Sequence, residues 1–332
     1  MKAYIKAISY YLPKRIVTNE EIQNEFPSEN IEKIAKSLGI CERHISDDGE
    51  TAKDMAVNAA KQLFKDNKID TNDIDFVLFC TQSPDYHLPS TACIIQKELN
   101  LPTTCGSFDY DLGCSGFVYG LSIAKGYILG GMCKNILLLT GDTIQMYINK
   151  KDKGNRMLFG EAASATLVST DGFAEICDFS FGTDGSGAQN IIVESGCARK
   201  QKIVGDLGID ESGAFQSSDF FYMNGSEVFS FTLDKVPVLV NNVLVKNELN
   251  VNDIDEFVFH QANKFTLNSI RKICGFDKIK FYNDVTDVGN TTSSTIPIAL
   301  KRFLEKDKTA KIIMLAGFGI GLSWAGCIIK LN

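Results

Sequence analysis

Short apolar runs bounded by turn residues recur along the chain: FVLFC (76–80), NILLL (135–139), FVFH (257–260) and IIMLA (312–316). They are continuous rather than alternating, the pattern of strands covered on both faces. Between them the apolar positions fall at helical spacing. SENIEKIAKSLG (28–39) starts on a cap-forming Ser and stops on Gly, and TAKDMAVNAAKQLF (51–64) has apolar residues at helical spacing, so both read as helices. CSGFVYGLSIAKGYILGG (114–131) reads as a third, with Phe117, Leu121, Ala124 and Ile128 on one face. MKAYIKAISYYLP reads as a first strand. Strands alternating with helices predict an α/β protein with parallel sheets covered by helices. The stretch from 182 to 220, rich in Gly and Ser, reads as an insertion over a site.

The apolar runs are also repeated. TNDIDFVLF (71–79) is echoed by VNDIDEFVF (251–259), DLGC (111–114) by DVGN (287–290), and NILLLTG (135–141) by KIIMLAG (311–317), in the same order and nearly the same register. Three matches in register indicate a duplication. The expected organisation is two similar halves, 1–170 and 171–332.

Composition narrows the function classes. The chain has 332 residues, enough for two domains or two fused halves, and its 44% hydrophobic and 23% charged content is that of a globular protein. A net charge of −7 argues against nucleic acid or an anionic membrane as the main partner. The N-terminus lacks the pattern of a signal peptide, and no run resembles a membrane span. The ten cysteines form no C-x-x-C pair and no Cys/His cluster with metal spacing, so a reduced, metal-free, cytoplasmic protein is expected.

One cysteine stands apart by context. Cys114 lies between a strand-like run and a helix-like one, where unpaired N–H groups and the helix dipole favour a thiolate. Gly113 permits a tight turn, and Ser115 and Gly116 keep the approach open. That suits an acylatable nucleophile; packing at a crowded junction is the alternative. The repeat sets Asn290 where the first half has Cys114. His260 ends the other repeated strand, although a lone histidine is more often structural. Strand ends are where α/β folds build sites.

GCSGFVYGL, VFHQAN, DVGNTTSSTIPIAL and GFGIGLSW together resemble the signature regions of the β-ketoacyl-acyl-carrier-protein synthase III family, within the thiolase superfamily. LPKRIVTNEEI, GICERHISDDGETAKDMA, SPDYHLPSTAC and FGEAASATLV are similar to that family as well, so the resemblance spans nearly the whole chain. It implies a five-layer αβαβα thiolase-like fold, a homodimer, and Cys114, His260 and Asn290 as catalytic residues. The implied reaction is a decarboxylating Claisen condensation: Cys114 takes an acyl group from a thioester, and a malonyl thioester loses CO₂ and attacks it. His260 and Asn290 would stabilise the enolate, and the backbone N–H groups of Cys114 and Ile320 would form a second oxyanion hole. No metal or redox cofactor is implied, the substrates being carried on the phosphopantetheine of coenzyme A or acyl-carrier protein.

The resemblance further points to Lys33, Ser37, Asn263, Leu88 and Gly319, and local charge to Lys153 and Lys264, for contacts with substrate or carrier. Four positions depart from the family. Ile320 stands where Gly is common, Lys33 and Ser37 where an adenine-stacking Trp and an Arg are usual, and Leu88 where an aromatic often reaches the partner's acyl pocket. Loss of the adenine platform favours a carrier-protein donor. An acidic carrier would need a basic rim, with Lys150, Lys151, Lys153, Arg156, Arg199, Lys200, Lys202 and Lys264 as candidates.

Other readings fare worse. A degradative thiolase wants a second cysteine in the GFGIG loop, an elongating synthase a histidine at 290, and a papain-like protease a different cysteine motif. A specialised acyl-condensing or acyl-transferring relative for a secondary metabolite or surface polysaccharide, and a non-catalytic scaffold, remain as alternatives.

Overall fold

The structure is a computed structural model and describes residues 1–211 and 213–332. The chain opens on β1 (Tyr4–Tyr11), the strand expected from the N-terminal pattern, then β2 (Arg15–Thr18), α1 (Asn19–Glu25), α2 (Ile31–Leu38), β3 (Glu42–Ile45) and α3 (Ala52–Asn67). β4 (Phe76–Cys80), α4 (Thr91–Glu98), β5 (Gly106–Tyr110), α5 (Gly116–Leu129), β6 (Asn135–Asp142), α6 (Lys153–Leu158) and β7 (Ala162–Ser169) follow. Next come β8 (Ala174–Thr183), the short strands β9 (Ile191–Val193), β10 (Asp206–Ile209), β11 (Phe215–Ser217) and β12 (Phe221–Met223), and the long α7 (Gly225–Lys246). The chain ends with β13 (Glu256–Phe259), α8 (Lys264–Ile273), α9 (Thr295–Lys306), β14 (Ile312–Gly319) and β15 (Ser323–Leu331).

Nine strands form one sheet in the order β13-β14-β15-β8-β1-β7-β6-β4-β5. It behaves as two arms, because β1 and β8 pair only at Tyr4 with Glu175 and Ile5 with Ala174. α5 and α9 lie between the arms, each touching strands of both. α3 covers the outer face of the first arm, and α7, with α8 against it, the outer face of the second. The layers are therefore helix, sheet, helix, sheet, helix. Each helix layer buries its own apolar cluster: Phe117, Leu121, Ile296 and Leu300 meet both arms in the middle, Met55 and Leu63 fill one outer core, and Val236 and Leu239 the other. The fully buried apolar side chains, each contributing about 1.5–3 kcal/mol, hold these layers together.

Several expectations are corrected. The sheet is mixed rather than parallel: only β4 with β5 and β6, and β13 with β14, run parallel. The antiparallel strands β7 and β8 are built partly from small or alternating residues, so they gave no long apolar run. α2 begins at Ile31, capped by the Asn30 side chain rather than by Ser28. α1, unforeseen, is a short helix with a Thr18–Glu21 capping box. The 182–220 stretch carries two small ladders, β9 with β12 and β10 with β11. α7 is long and apolar enough to cross a membrane by length and composition alone, but Phe231, Val236, Leu239, Val240 and Val243 on it are buried in the outer core of the second arm.

The repeated segments occupy matching places. Each TND or VND triplet forms a 3-10 turn leading into β4 or β13. DLGC leads into a 3-10 turn and α5, and DVGN into a 3-10 turn and α9. Where β5 pairs with β4, the second arm keeps only a parallel bridge between Phe257 and Phe281.

The middle layer sets the stability. Phe117→Ala, in a side chain with no exposed surface, is expected to cost about 3–5 kcal/mol in urea unfolding. Ile279→Ser, at an exposed position, is expected to change stability by less than about 0.5 kcal/mol. Equal midpoints for the two variants would show that the layers are not held by this core.

Candidate active site

Cys114, His260 and Asn290 come from three separate segments and line one pocket, with Asn263, Gly319 and Ile320. The pocket has an empty volume of about 770 Å³, and among the described residues no charged side chain lines it. Its walls are apolar: Ile144, Leu158, Phe159, Phe221, Val228 and Phe318. Ile191 and Phe221 bring the ladder of the 182–220 region into that wall.

Cys114 sits in the one-turn 3-10 helix Gly113–Ser115, two residues before α5. Gly113 takes φ +48°, and a Cβ there would meet Gln82 Oε1 at 2.6 Å and Ile320 Cγ2 at 2.8 Å. A Cβ on Gly319 would lie 2.9 Å from Cys114 Cβ and 3.0 Å from Sγ, so only glycine lets β14 pass this close. The expected thiolate is not the resting form. Burial pushes the thiol up to about 12, the Asp142 charge adding to it, while hydrogen bonds from the N–H groups of Cys114 and Ile320 pull the other way. Ile320, despite its branched side chain, thus still turns its N–H toward the sulfur.

His260 follows β13 and is fixed by its N–H donating to Ala316 O at 2.8 Å. Its ring stands edge-to-face with Phe318 at 5.7 Å, and Nδ1 lies 2.7 Å from Thr295 Oγ1. Burial drives its pKa down to about 3, so the ring is neutral at physiological pH. Asn290 is clamped by its backbone: its N–H donates to Leu158 O at 3.0 Å, and its carbonyl accepts from Gly160 at 3.1 Å. Its Oδ1 accepts from the Thr292 N–H at 3.0 Å, which fixes the orientation of the carboxamide whose Nδ2 is the donor.

Beneath these groups lies Asp142, which the motifs did not single out. It accepts from Thr292 Oγ1, from Ser293 Oγ at 2.7 Å and from the Gln82 N–H at 2.6 Å. Burial raises its carboxyl to about 6 against those hydrogen bonds. The signal for it was its place at the C-terminal end of β6, the end of the first arm at which β5 leads into Cys114. Thr292 and Thr295 were likewise visible only as part of a Ser/Thr run at a helix start.

The remaining candidates lie outside the pocket lining. Lys33 and Ser37 are exposed on α2, and the stem of Lys264 packs over Gly39 at the end of that helix. Leu88 is 87% exposed. Much of the expected basic rim is already paired: Lys153 with Glu29 at 2.7 Å, Lys151 with Asp206 at 2.8 Å, Arg156 with Glu25 at 2.7 Å and Lys200 with Glu194 at 2.6 Å. Among the described residues, no carboxylate lies within ion-pair distance of Lys33 or Lys264. Asn263 spends its Oδ1 on capping α8, donated to by the Thr266 N–H at 2.8 Å.

The five layers, with a cysteine turn and an asparagine turn at equivalent places, define a thiolase-like protein. Residues 108–185 match the model of 3-oxoacyl-[acyl-carrier-protein] synthase III, and residues 244–331 that of its C-terminal part. The β-ketoacyl-[acyl-carrier-protein] synthase III of Caldanaerobacter subterraneus is 32% identical over 324 residues, covering 96% of this chain and 95% of that protein. A crystal structure of a 3-oxoacyl-(acyl-carrier-protein) synthase III superposes with a TM-score of 0.95 at 41% identity, covering both chains fully. The 3-oxoacyl-(acyl-carrier protein) synthase of Burkholderia xenovorans superposes at 0.91 with 31% identity, covering 100% of this chain and 95% of that one. The chain belongs to the β-ketoacyl-[acyl-carrier-protein] synthase III family.

Burial of the thiol has a measurable consequence. Alkylation of Cys114 by iodoacetamide in the free enzyme is expected to keep accelerating beyond about pH 10, where an ordinary thiol with a pKa of about 8.5 has levelled off. Peptide mass mapping follows the adduct. A rate already level near pH 7 would mean that the two N–H groups outweigh desolvation.

Proposed function

We propose that the protein joins an acyl group to a malonyl unit by decarboxylating Claisen condensation, initiating fatty-acid synthesis. The observation that carries this reading is the convergence of the Cys114 sulfur, two N–H groups aimed at it, a neutral His260 and an oriented Asn290 carboxamide on one charge-free apolar pocket. Cys114 attacks the carbonyl carbon of an acyl thioester. The tetrahedral oxyanion is held by the N–H groups of Cys114 and Ile320, and the carrier thiol departs with the proton. A malonyl thioester then loses CO₂, and its enolate oxygen takes hydrogen bonds from His260 and Asn290 Nδ2. The enolate carbon attacks the acyl-enzyme carbonyl, and collapse of that adduct breaks the C–S bond, freeing the β-ketoacyl product and the Cys114 thiolate, which takes one proton from water to return to the thiol. A pocket without charged side chains suits both oxyanions, because fixed dipoles act there without competition from water.

The substrates in this reading ride on phosphopantetheine, and the chemistry asks for no metal or redox group. Asn263 and Gly319, which line the pocket, would border the pantetheine arm. Lys33, Ser37 and Lys264 would meet an acidic carrier protein near the end of α2, with Lys153 contributing only if it leaves Glu29. A cytoplasmic location is part of the proposal. So is descent of the halves 1–170 and 171–332 from one duplicated unit, supported by the matching turns and strands. A homodimer is supported by β5, which ends the sheet with one edge unpaired, and by the exposed Tyr86 and Leu88. A second copy would cover both, with Leu88 delivered to the partner's pocket. Sedimentation at micromolar concentration is expected to give a dimer, and a monomer alone would refute that assembly.

The catalytic roles separate by mutation. Incubation with acyl thioesters is expected to add acyl mass to Cys114 and to no other cysteine. Asn290→Ala is expected to retain acyl transfer to Cys114 while losing malonyl decarboxylation by a hundredfold or so, the scale of removing an oxyanion donor. Acyl mass on the Cys114→Ala variant, or equal loss of both steps in folded Asn290→Ala, would overturn the assignment.

A further inference from the structure

His260 is neutral, and a neutral imidazole offers a hydrogen on one ring nitrogen and a lone pair on the other. Which nitrogen faces the pocket with a hydrogen decides whether the ring can donate to an enolate oxygen. That choice is made behind the ring, at Nδ1, where Thr295 Oγ1 lies 2.7 Å away. Both residues are almost fully buried, so no solvent can compete for this contact.

The Thr295 hydroxyl has one hydrogen and two acceptors in reach: Nδ1, and the Thr292 carbonyl at 3.0 Å. The carbonyl already accepts the backbone N–H of Thr295, which closes the 3-10 turn 292–294. Nδ1 has no other hydrogen-bond partner among the described residues, and an imidazole nitrogen is the stronger base. A hydroxyl pointing at the carbonyl would double its acceptance, whereas one pointing at Nδ1 satisfies a buried acceptor that otherwise depends on the ring supplying the hydrogen. We propose that Thr295 is the positioning residue that sets the tautomer of His260: its hydroxyl donates to Nδ1, and Nε2 therefore carries the hydrogen.

The same turn then sets both donors of the site. The Thr292 N–H orients the Asn290 amide, and the Thr295 hydroxyl, three residues later, selects the His260 tautomer. Asp142 holds the turn by accepting from Thr292 Oγ1 and Ser293 Oγ. The catalytic consequence rests on the condensation proposed above, since only a reaction that develops charge on oxygen needs hydrogen at Nε2.

The tautomer is read without turnover. In protein labelled with ¹⁵N in the histidine rings, long-range proton–nitrogen spectra distinguish protonated from bare ring nitrogens. His260 is identified against His44 and His87 by the signal lost in His260→Ala. Wild type and Thr295→Ser are expected to show a bare Nδ1 and a protonated Nε2; a protonated Nδ1 in the wild type would overturn the proposal. In the second arm, Thr295→Val removes the hydroxyl at nearly constant volume. Malonyl decarboxylation is expected to fall roughly tenfold more than acyl loading of Cys114, through kcat rather than KM, and to recover in Thr295→Ser. An equal fall in both steps, or no recovery with serine, would reduce Thr295 to a packing residue and overturn the proposal. A wild-type protein that neither loads nor decarboxylates would sink the condensation itself, while the spectra still decide the tautomer.

Discussion

Desolvation of the pocket is the constraint on which the site depends. With no charged side chain among the described residues of the lining, a polar group inside can neither ionise cheaply nor turn to water, so its state is set by the hydrogen bond it makes on the far side. Thr292 does this for Asn290, Thr295 for His260, and the paired N–H groups for the Cys114 sulfur. Asp142, a carboxylate close beneath, is tolerated because three donors meet it. Burial, with the Asp142 charge adding to it, disfavours a resting thiolate and keeps the nucleophile as a thiol until a thioester arrives in the proposed reaction.

That arrangement requires backbone precision, and the fold supplies it by bracing each turn to the opposite arm. Ser115, in the cysteine turn, shares a 2.7 Å hydrogen bond with Ser323 of β15. Ser294, in the asparagine turn, shares one of 2.8 Å with Thr140 of β6, which in turn meets Ser164 of β7 at 2.7 Å. All of these hydroxyls are buried. A shift of either arm would therefore strand buried hydroxyls, a cost of about 1–3 kcal/mol for each unpaired group. The β1–β8 ladder between the arms is only two residue pairs long, so these cross-links, the Leu158–Asn290–Gly160 backbone bonds and the middle helices add to the registration.

Legibility in the sequence followed the physics of each feature. The parallel strands β4, β6, β13 and β14 announced themselves because burial on both faces demands continuous apolar runs. β7 did not, since AASATLVS is buried beside close-packed neighbours that favour small residues, and such a run carries weak hydrophobic contrast. Cys114, His260 and Asn290 were singled out from strand ends and the repeat, and the pocket brings them together. Asp142 and Thr295 escaped because their importance lies in what they touch across 150 and 35 residues of sequence, which no local pattern encodes. The basic rim was legible as composition only: Glu29, Glu25, Asp206 and Glu194 lie far enough along the chain, or across a fold, to neutralise it unseen.

One departure from the family pattern, Ile320, fits its surroundings in this light. Ile320 brings a methyl group against the space that a side chain at Gly113 would need, so the tight turn at 113 and the branched residue at 320 form a complementary pair around Cys114. The same neighbourhood contains Gln82, whose carboxamide borders the pocket while its backbone N–H binds Asp142. The floor beneath the nucleophile is thus tied to the 3-10 turn that orients the two donors, with Asp142 as the common acceptor. Nucleophile and donors are held by a single hydrogen-bonded unit, so in the proposed reaction acyl transfer and enolate stabilisation would share one geometry even though different atoms would carry them out.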